Sequence, residues 1–130
     1  TSGIDGSNST AVGAALSQDQ MVTIITGDMA FFYDHNAFWH NYPLPNLRII
    51  LLNNHAGGIF RLIKGPSSQP ELGEYFETEQ RLTAENTAKD FGMDYVGVNN
   101  LTDLQTQLEI FYSASNHAKI LEVETTMLNY

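Results

Sequence analysis

Cysteine is absent from this sequence of 130 residues, so neither a disulfide framework nor a thiolate metal site is available. Basic residues are scarce: six Lys and Arg stand against fifteen Asp and Glu, which gives a formal net charge of −9. A surface of that sign repels nucleic acid and anionic lipid, and we expect neither as a partner. An anionic ligand would need a metal ion or backbone N–H groups to hold it.

Long apolar runs are also missing. No stretch approaches the roughly 18 apolar residues that span a bilayer, and the N-terminal segment lacks the basic start and apolar core of a signal peptide. We therefore expect no membrane span and a cytoplasmic location. The composition, 42% hydrophobic and 16% charged, is typical of a packed globular chain whose length suits one domain, residues 1–130.

Strand-like and helix-like segments alternate along the chain. Apolar runs rich in β-branched residues predict strands at 21–26, 47–53, 93–98 and 118–126. Capping residues and apolar spacing predict helices at 7–17, 30–41, 83–91 and 101–114. Ser7 or Asn8 is the expected cap of the first helix, and 65–80 is interpreted as an acidic solvated loop. This order predicts an α/β fold, a three-layer parallel sheet with helices on both faces.

Two polar pairs follow two of the predicted strands. Gly27-Asp28 comes directly after "MVTIIT", and Asn53-Asn54 ends "LRIILLNN". Ligands of such sheets bind beyond the carboxyl ends of the strands, where these side chains converge if the strands are neighbours. Carboxylate and carboxamide oxygens suit Mg²⁺ or Ca²⁺, and the N–H groups at the start of the following helix suit phosphate. The residues predict a Mg²⁺-diphosphate site; a helix cap and a turn are the structural alternative.

A Gly-Asp pair followed, one helix and one strand later, by Asn-Asn resembles the diphosphate-binding signature of thiamine diphosphate enzymes. The segments "SGIDGSNSTAVGAAL", "GDMAFFYDHNAF" and "NNHAGGIFRLI" together resemble the C-terminal domain of one branch. That branch comprises the 2-succinyl-5-enolpyruvyl-6-hydroxy-3-cyclohexene-1-carboxylate synthases of menaquinone biosynthesis. The resemblance implies the thiamine diphosphate-binding fold, with thiamine diphosphate and Mg²⁺ (or Mn²⁺) as cofactors.

The resemblance also implies roles for individual residues. The implied metal ligands are Asp28, Asn54 and the Ala56 carbonyl. The implied cofactor-binding residues are Ser2, Gly3, Ile4, Gly27, Met29, Ala30 and Ile59. The implied substrate-pocket residues are Ile59, Phe60 and Ile63. Within these sets Ile4 would support the bent cofactor, while Met29 and Ala56 stand where the family commonly has glycine.

No catalytic residue is implied in this chain, because the Glu that activates the cofactor belongs to an N-terminal domain in this family. We therefore expect the chain to be a diphosphate-binding domain excised from a longer three-domain enzyme, and inactive alone. The complete protein, a homodimer or homotetramer, would decarboxylate 2-oxoglutarate and add the resulting succinyl carbanion equivalent to isochorismate.

Two other interpretations stay open. One is another thiamine diphosphate enzyme such as an acetolactate synthase, against which "SGIDG" and "YDHNAF" weigh. The other is a non-catalytic α/β binding module, which predicts no Mg²⁺-dependent ligand binding. Arg61 and Lys64 are interpreted as solvated surface or as contacts for substrate carboxylates, and Asp34 as support for the site or ordinary helix polarity. Trp39 is expected to pack against the sheet or a partner subunit.

Overall fold

The computed structural model describes residues 3–125. Its strands are β1 (Val22–Gly27), β2 (Leu47–Asn53), β3 (Asp94–Val98) and β4 (Lys119–Glu124). All neighbouring strands pair in parallel, in the order β1-β2-β4-β3. The four predicted strands are confirmed to within two residues at each described end; the predicted last residue of the fourth, Thr126, lies outside the described residues.

The connections between strands are helical. The α-helices are α1 (Ser7–Leu16), α2 (Asp28–Tyr33), α3 (Ile59–Leu62), α4 (Ala84–Phe91) and α5 (Leu101–Phe111). Shorter elements are the 3₁₀ turns His35–Phe38 and Pro66–Ser68 and a π-helix at Leu72–Glu77. Among the described residues, no helix is long and apolar enough to cross a membrane.

Helices cover both faces of the sheet, as predicted. One face packs against α1, α2 and α4, around fully buried residues of β2 such as Leu47 and Ile49. The other face packs against α5, where Phe111 meets Val98 and Leu121. This second layer leaves the β1 side open, and Ile25 is 66% exposed there.

The cap of α1 differs from the prediction. Gly6, at φ +70°, occupies the N-cap position, and Asn8 is buried with its Nδ2 donating to the Phe31 carbonyl at 2.8 Å. The missing cap comes from a distant residue: Asp34 accepts hydrogen bonds from Ser9 N at 2.7 Å and Ser9 Oγ at 2.8 Å. A carboxylate there satisfies an amide of the first helical turn and favours the positive end of the helix dipole. Asp34 is therefore neither idle helix polarity nor part of the predicted site.

The predicted helix 30–41 is also corrected, because α2 starts earlier, at Asp28, and ends at Tyr33 before a 3₁₀ turn. That turn buries Phe38 against Phe31 and leaves Trp39 84% exposed. Trp39 thus does not pack against the sheet, and its contact with a partner subunit stays a prediction.

The interpretation of 65–80 as a solvated loop was wrong for Leu72–Glu77, which forms a π-helix with a buried end. Glu77 is fully buried and forms an ion pair with Arg61, whose Nη2 donates to Glu77 Oε2 at 2.9 Å. The Gly57 N–H donates to the Glu77 carbonyl at 2.7 Å. These contacts tie the π-helical segment to the chain that follows β2, and they remove Arg61 from the freely solvated surface.

A buried arginine holds the C-terminal end of α5 against the sheet. Arg48 is 1% exposed, and its guanidinium donates to the carbonyls of Phe111, Ser113 and Pro45 at 2.8 Å each. The last carbonyls of a helix have no N–H partner within the helix. A cation near them also interacts favourably with the negative end of the helix dipole. The planar guanidinium carries five N–H groups and can therefore donate to several carbonyls at once.

We expect Arg48→Met to lower the free energy of unfolding by about 2–4 kcal/mol, because the apolar stem is kept while buried carbonyls lose their donors. The neighbouring Lys119 also donates to Ser113 and Ile110 carbonyls, but in an exposed setting. Lys119→Met should therefore cost less than about 1 kcal/mol. Urea unfolding of both variants measures the difference; equal losses would contradict a special role for Arg48.

Candidate functional site

An open cleft of about 830 Å³ lies at the carboxyl ends of β1, β2 and β4. The short turn from β1 into α2 brings Asp28 into it, and the loop after β2 brings Asn54 and Ala56. The neighbouring, parallel registry of β1 and β2 places these loops side by side. The predicted site residues that line the cleft are Ile4, Gly27, Asp28, Met29, Ala30, Asn54, Ala56 and Ile59.

Three polar groups converge at the floor of this cleft. Asp28 is 3% exposed. The side-chain amide of Asn54 lies 3.1 Å from Asp28 Oδ1 and 2.8 Å from the Ala56 carbonyl oxygen. In one orientation of this amide its nitrogen donates to both oxygens; in the other its oxygen joins them as a third possible ligand of a cation.

The cluster suits a hard cation held largely by neutral oxygens. No group of three or more His, Cys, Asp or Glu side chains capable of holding a metal occurs within residues 3–125. One carboxylate, one carboxamide and one backbone carbonyl are, however, an oxygen donor set of the type that Mg²⁺ and Ca²⁺ accept. Water or ligand oxygens would complete the coordination, since three groups do not fill an octahedron.

The loop that carries Asn54 is shaped by close backbone contacts. His55 adopts φ +62°, with its N–H bonded to Asn53 Oδ1 at 3.0 Å. Its side chain is half-buried, and its Nε2 lies 3.8 Å from Glu124 Oε1. At Gly58 a Cβ would come within 2.9 Å of Asn54 Nδ2. The glycine thus leaves room for the amide to face the oxygen cluster.

Some predicted residues lie away from the cleft or cannot be placed. Gly3 is exposed and, like Phe60 and Ile63, does not belong to the cleft lining. Phe60 instead packs against Phe76, with ring centroids 5.7 Å apart. Ser2 lies outside the described residues. The roles implied for these four residues remain predictions.

The cleft also includes residues that sequence reasoning missed. They are Leu52, Gly57, Gly58, Leu62, Asn99, Asn100, Leu101, Leu104, Val123, Glu124 and Thr125. Arg61, which the sequence suggested as solvated surface or as a substrate contact, also lines the cleft. Asn99 and Asn100 directly follow the predicted strand 93–98. The rule that pointed to Asp28 and Asn54, that ligands bind beyond the ends of parallel strands, would have found them too.

Comparison with known proteins assigns this arrangement to a family. The family described as "Thiamine pyrophosphate enzyme, C-terminal TPP binding domain" matches residues 5–123. The chain belongs to this family. The chain is therefore a thiamine diphosphate-binding domain, and the resemblance drawn from the sequence motifs is confirmed.

The relatives most relevant to this TPP-binding domain carry one name, 2-succinyl-5-enolpyruvyl-6-hydroxy-3-cyclohexene-1-carboxylate synthase. The protein of Cytophaga hutchinsonii is 59% identical over 96% of this chain, and that of Christiangramia forsetii 49% identical over 96%. The chain spans about a fifth of the length of these relatives, 22% of each.

A solved structure with the same fold is the thiamine diphosphate-dependent 4-hydroxybenzoylformate decarboxylase of Rhodococcus jostii RHA1. It superposes with a TM-score of 0.76 at 25% identity, covering 92% of this chain and 23% of that one. The predicted thiamine diphosphate-binding fold is thereby confirmed.

A hydrogen-bonded network supports the floor of the cleft from the interior of the domain. Asn53, 1% exposed at the end of β2, donates from Nδ2 to Glu122 Oε1 at 2.6 Å and to the Leu82 carbonyl at 2.9 Å. Glu122, also buried, accepts from the Ala84 N–H at 2.9 Å and the Tyr95 hydroxyl at 2.7 Å through Oε2. A buried carboxylate is tolerated when its oxygens are bonded in this way. The network joins β2, β3, β4 and the start of α4.

Burial, aided by the hydrogen bond and charge of Glu122, raises the pKa of the Tyr95 hydroxyl above its ordinary value. The raised pKa means that the folded protein holds this proton while the unfolded chain releases it above about pH 10. The contribution to stability is complete below that pH and is lost as pH rises toward the folded pKa, by up to about 1.4 kcal/mol per pH unit.

We therefore expect the free-energy gap between wild type and Tyr95→Phe to shrink as pH rises from about 9 to about 11, since the variant cannot ionise there. Urea unfolding at several pH values measures the gap. Tyr75→Phe, at a position 70% exposed, controls for loss of a hydroxyl. A gap that stays constant over this range would contradict the buried Tyr95–Glu122 bond.

Proposed function

We propose that this TPP-binding domain holds the Mg²⁺-diphosphate end of thiamine diphosphate through Asp28, Asn54 and the Ala56 carbonyl. The observation that carries the proposal is the convergence of these groups, with the Asn54 amide 3.1 Å from Asp28 Oδ1 and 2.8 Å from the Ala56 carbonyl oxygen. In an octahedron with Mg²⁺–oxygen distances of 2.0–2.1 Å, adjacent ligand oxygens lie about 2.9 Å apart. Groups at these separations can serve as adjacent ligands of Mg²⁺ when the amide oxygen faces the other two, and Mn²⁺ accepts the same oxygen chemistry.

The charge of the chain supports a bridging cation. A protein of net charge −9, with Asp28 and Glu124 in the cleft lining, repels a diphosphate. A divalent ion at the Asp28 oxygen inverts the local charge, and phosphate oxygens then complete its coordination. The N–H groups of Met29 and Ala30 lie in the first turn of α2, where amides have no partner within the helix, and we assign them to the phosphate oxygens.

Apolar residues supply the remaining cofactor contacts in this proposal. Ile4 and Ile59 both line the cleft although they are 38% and 54% exposed. Ile4 supports the bent cofactor, and Ile59, with Phe60 and Ile63 on and after α3, forms one wall of the substrate pocket. Gly3 and Gly27, together with Ser2, allow the cofactor to approach the backbone closely. None of these groups transfers a proton; they position the cofactor and restrict water.

We further propose that the domain belongs to a longer three-domain 2-succinyl-5-enolpyruvyl-6-hydroxy-3-cyclohexene-1-carboxylate synthase, a cytoplasmic homodimer or homotetramer. Support comes from the shared name of relatives at 59% and 49% identity, of which the chain covers 22%. The complete enzyme is a transferase of menaquinone biosynthesis that uses 2-oxoglutarate and isochorismate. When bound, thiamine diphosphate acts as the electron sink for loss of CO₂.

We expect calorimetric titration of the chain with thiamine diphosphate and Mg²⁺ to give metal-dependent heat that Asp28→Asn abolishes. The substitution keeps the shape of the side chain and removes the charge that attracts the cation. Asp90→Asn, at an exposed position of α4, should bind as wild type does. The same titration of the complete protein distinguishes a half-site that needs its partner domain from a wrong assignment. Binding by the complete protein that survives Asp28→Asn would refute the metal site.

We expect the complete protein to release CO₂ from 2-oxoglutarate and to form a product only when isochorismate is the acceptor. Pyruvate as both donor and acceptor tests the acetolactate synthase alternative, and the rate with that pair should be at least about 100-fold lower in kcat/KM. Comparable rates with the two pairs would overturn the proposed substrates but leave the cofactor site intact. The Asp28→Asn protein is the inactive control.

A further inference from the structure

We propose that Gln80 is a positioning residue that fixes the Asp28 carboxylate as a ligand through one oxygen only and thereby favours Mg²⁺ over Ca²⁺. The inference rests on the proposed function, since it concerns the same metal site. Gln80 lies outside the cleft lining, in the segment that the sequence alone indicated to be a solvated loop. Its role follows from the hydrogen bonds that its side-chain amide makes and from the oxygen of Asp28 that it contacts.

The orientation of the Gln80 amide is determined by the backbone. The Leu82 N–H donates to Gln80 Oε1, so that atom must be oxygen. The other end is then the NH₂ group, which donates to Asp28 Oδ2 at 2.9 Å and to Asn53 Oδ1 at 3.3 Å. The main chain of Gln80 is also held, because its N–H donates to the His55 carbonyl at 2.9 Å.

The side chain of Asn53, the second acceptor of the Gln80 amide, also has a determined orientation. Asn53 Nδ2 is committed to the Leu82 carbonyl and to Glu122, which leaves Asn53 Oδ1 to face donors. That oxygen accepts from Gln80 and from the His55 N–H. Gln80 thus bridges the polar side chains at the ends of β1 and β2, with each of its amide atoms in a determined role.

The two carboxylate oxygens of Asp28 therefore have different roles. Oδ2 accepts from Gln80, whereas Oδ1 lies 3.1 Å from the side-chain amide of Asn54, which also contacts the Ala56 carbonyl. A carboxylate held in this way binds a cation through Oδ1 alone. Mg²⁺ requires six ligand oxygens in an octahedron, to which a carboxylate contributes one. Ca²⁺ takes six to eight ligand oxygens and accepts carboxylates through both of theirs. Loss of the Gln80 contact frees Oδ2 to join the coordination, which benefits Ca²⁺ more than Mg²⁺.

The test measures metal binding rather than catalysis. Mn²⁺ binding to the complete protein is followed by electron paramagnetic resonance with thiamine diphosphate present, and Mg²⁺ and Ca²⁺ are compared by displacement. Gln80→Met keeps the length of the side chain and removes its donors. Gln80→Asn keeps an amide but is one methylene shorter, and it provides the measurement if the Met variant does not fold. Gln105→Met, at an exposed position of α5, is the matched control.

We expect Mg²⁺ affinity to fall about 10–100-fold in the Gln80 variants, as for other residues that orient a metal ligand. Ca²⁺ affinity should fall less, so that the ratio of Mg²⁺ to Ca²⁺ affinity declines, while Gln105→Met leaves both affinities unchanged. A general loss of structure would lower both affinities together, and the thermal midpoint without metal would expose it.

The outcomes separate this inference from the proposed function. If Asp28→Asn abolishes Mn²⁺ binding but the Gln80 variants keep wild-type affinity and wild-type preference for Mg²⁺, the metal site stands and the inference fails. Equal losses of Mg²⁺ and Ca²⁺ affinity also overturn it, since the preference is then set elsewhere. If the wild-type protein binds no Mn²⁺, the proposed function fails and the inference with it.

Discussion

The parallel register of three neighbouring strands is the constraint on which the site depends. Gly27 of β1 pairs with Leu52 of β2, and Asn53 of β2 pairs with Glu124 of β4, so the three strands end at one level. The turns that follow must therefore start from one edge, and short turns keep Asp28 and Asn54 within contact distance. The fully buried apolar residues of β2, Leu47, Ile49 and Leu51, lie on one face of the sheet and hold this register, because a slip by one residue would turn them to the other face.

Polar groups at this edge are organised in two layers. The upper layer, Asp28 with the carboxamide of Asn54 and the carbonyl of Ala56, faces the cleft. The lower layer, Asn53 with Glu122, faces the interior and is almost fully bonded to donors. Burying Glu122 without those donors would be costly, since a charge taken out of water needs compensating hydrogen bonds. The lower layer thus confers rigidity on the loops that carry the upper one.

The parts of the molecule that sequence could predict are those that depend on local pattern. Runs of β-branched residues gave strand positions because a buried parallel strand needs a continuous apolar segment. Asp28 and Asn54 were predictable because ligands of such sheets bind beyond the carboxyl ends of the parallel strands. Asp34 as the cap of α1, and Glu77 as a buried ion-pair partner of Arg61, were not predictable. Each depends on a contact between residues distant in sequence, and a carboxylate alone does not show where its partner lies.

The pairing of a carboxylate with a carboxamide at this edge follows from charge balance. A divalent cation bound by one carboxylate keeps one positive charge, which remains available to attract a diphosphate. Aspartate at position 54 in place of Asn54 would neutralise the cation and place a second anion about 3 Å from Asp28, where like charges repel. The Ala56 carbonyl contributes an oxygen with no net charge. An acidic domain can therefore hold an anionic cofactor with a single carboxylate at the metal, provided that its other ligands are neutral.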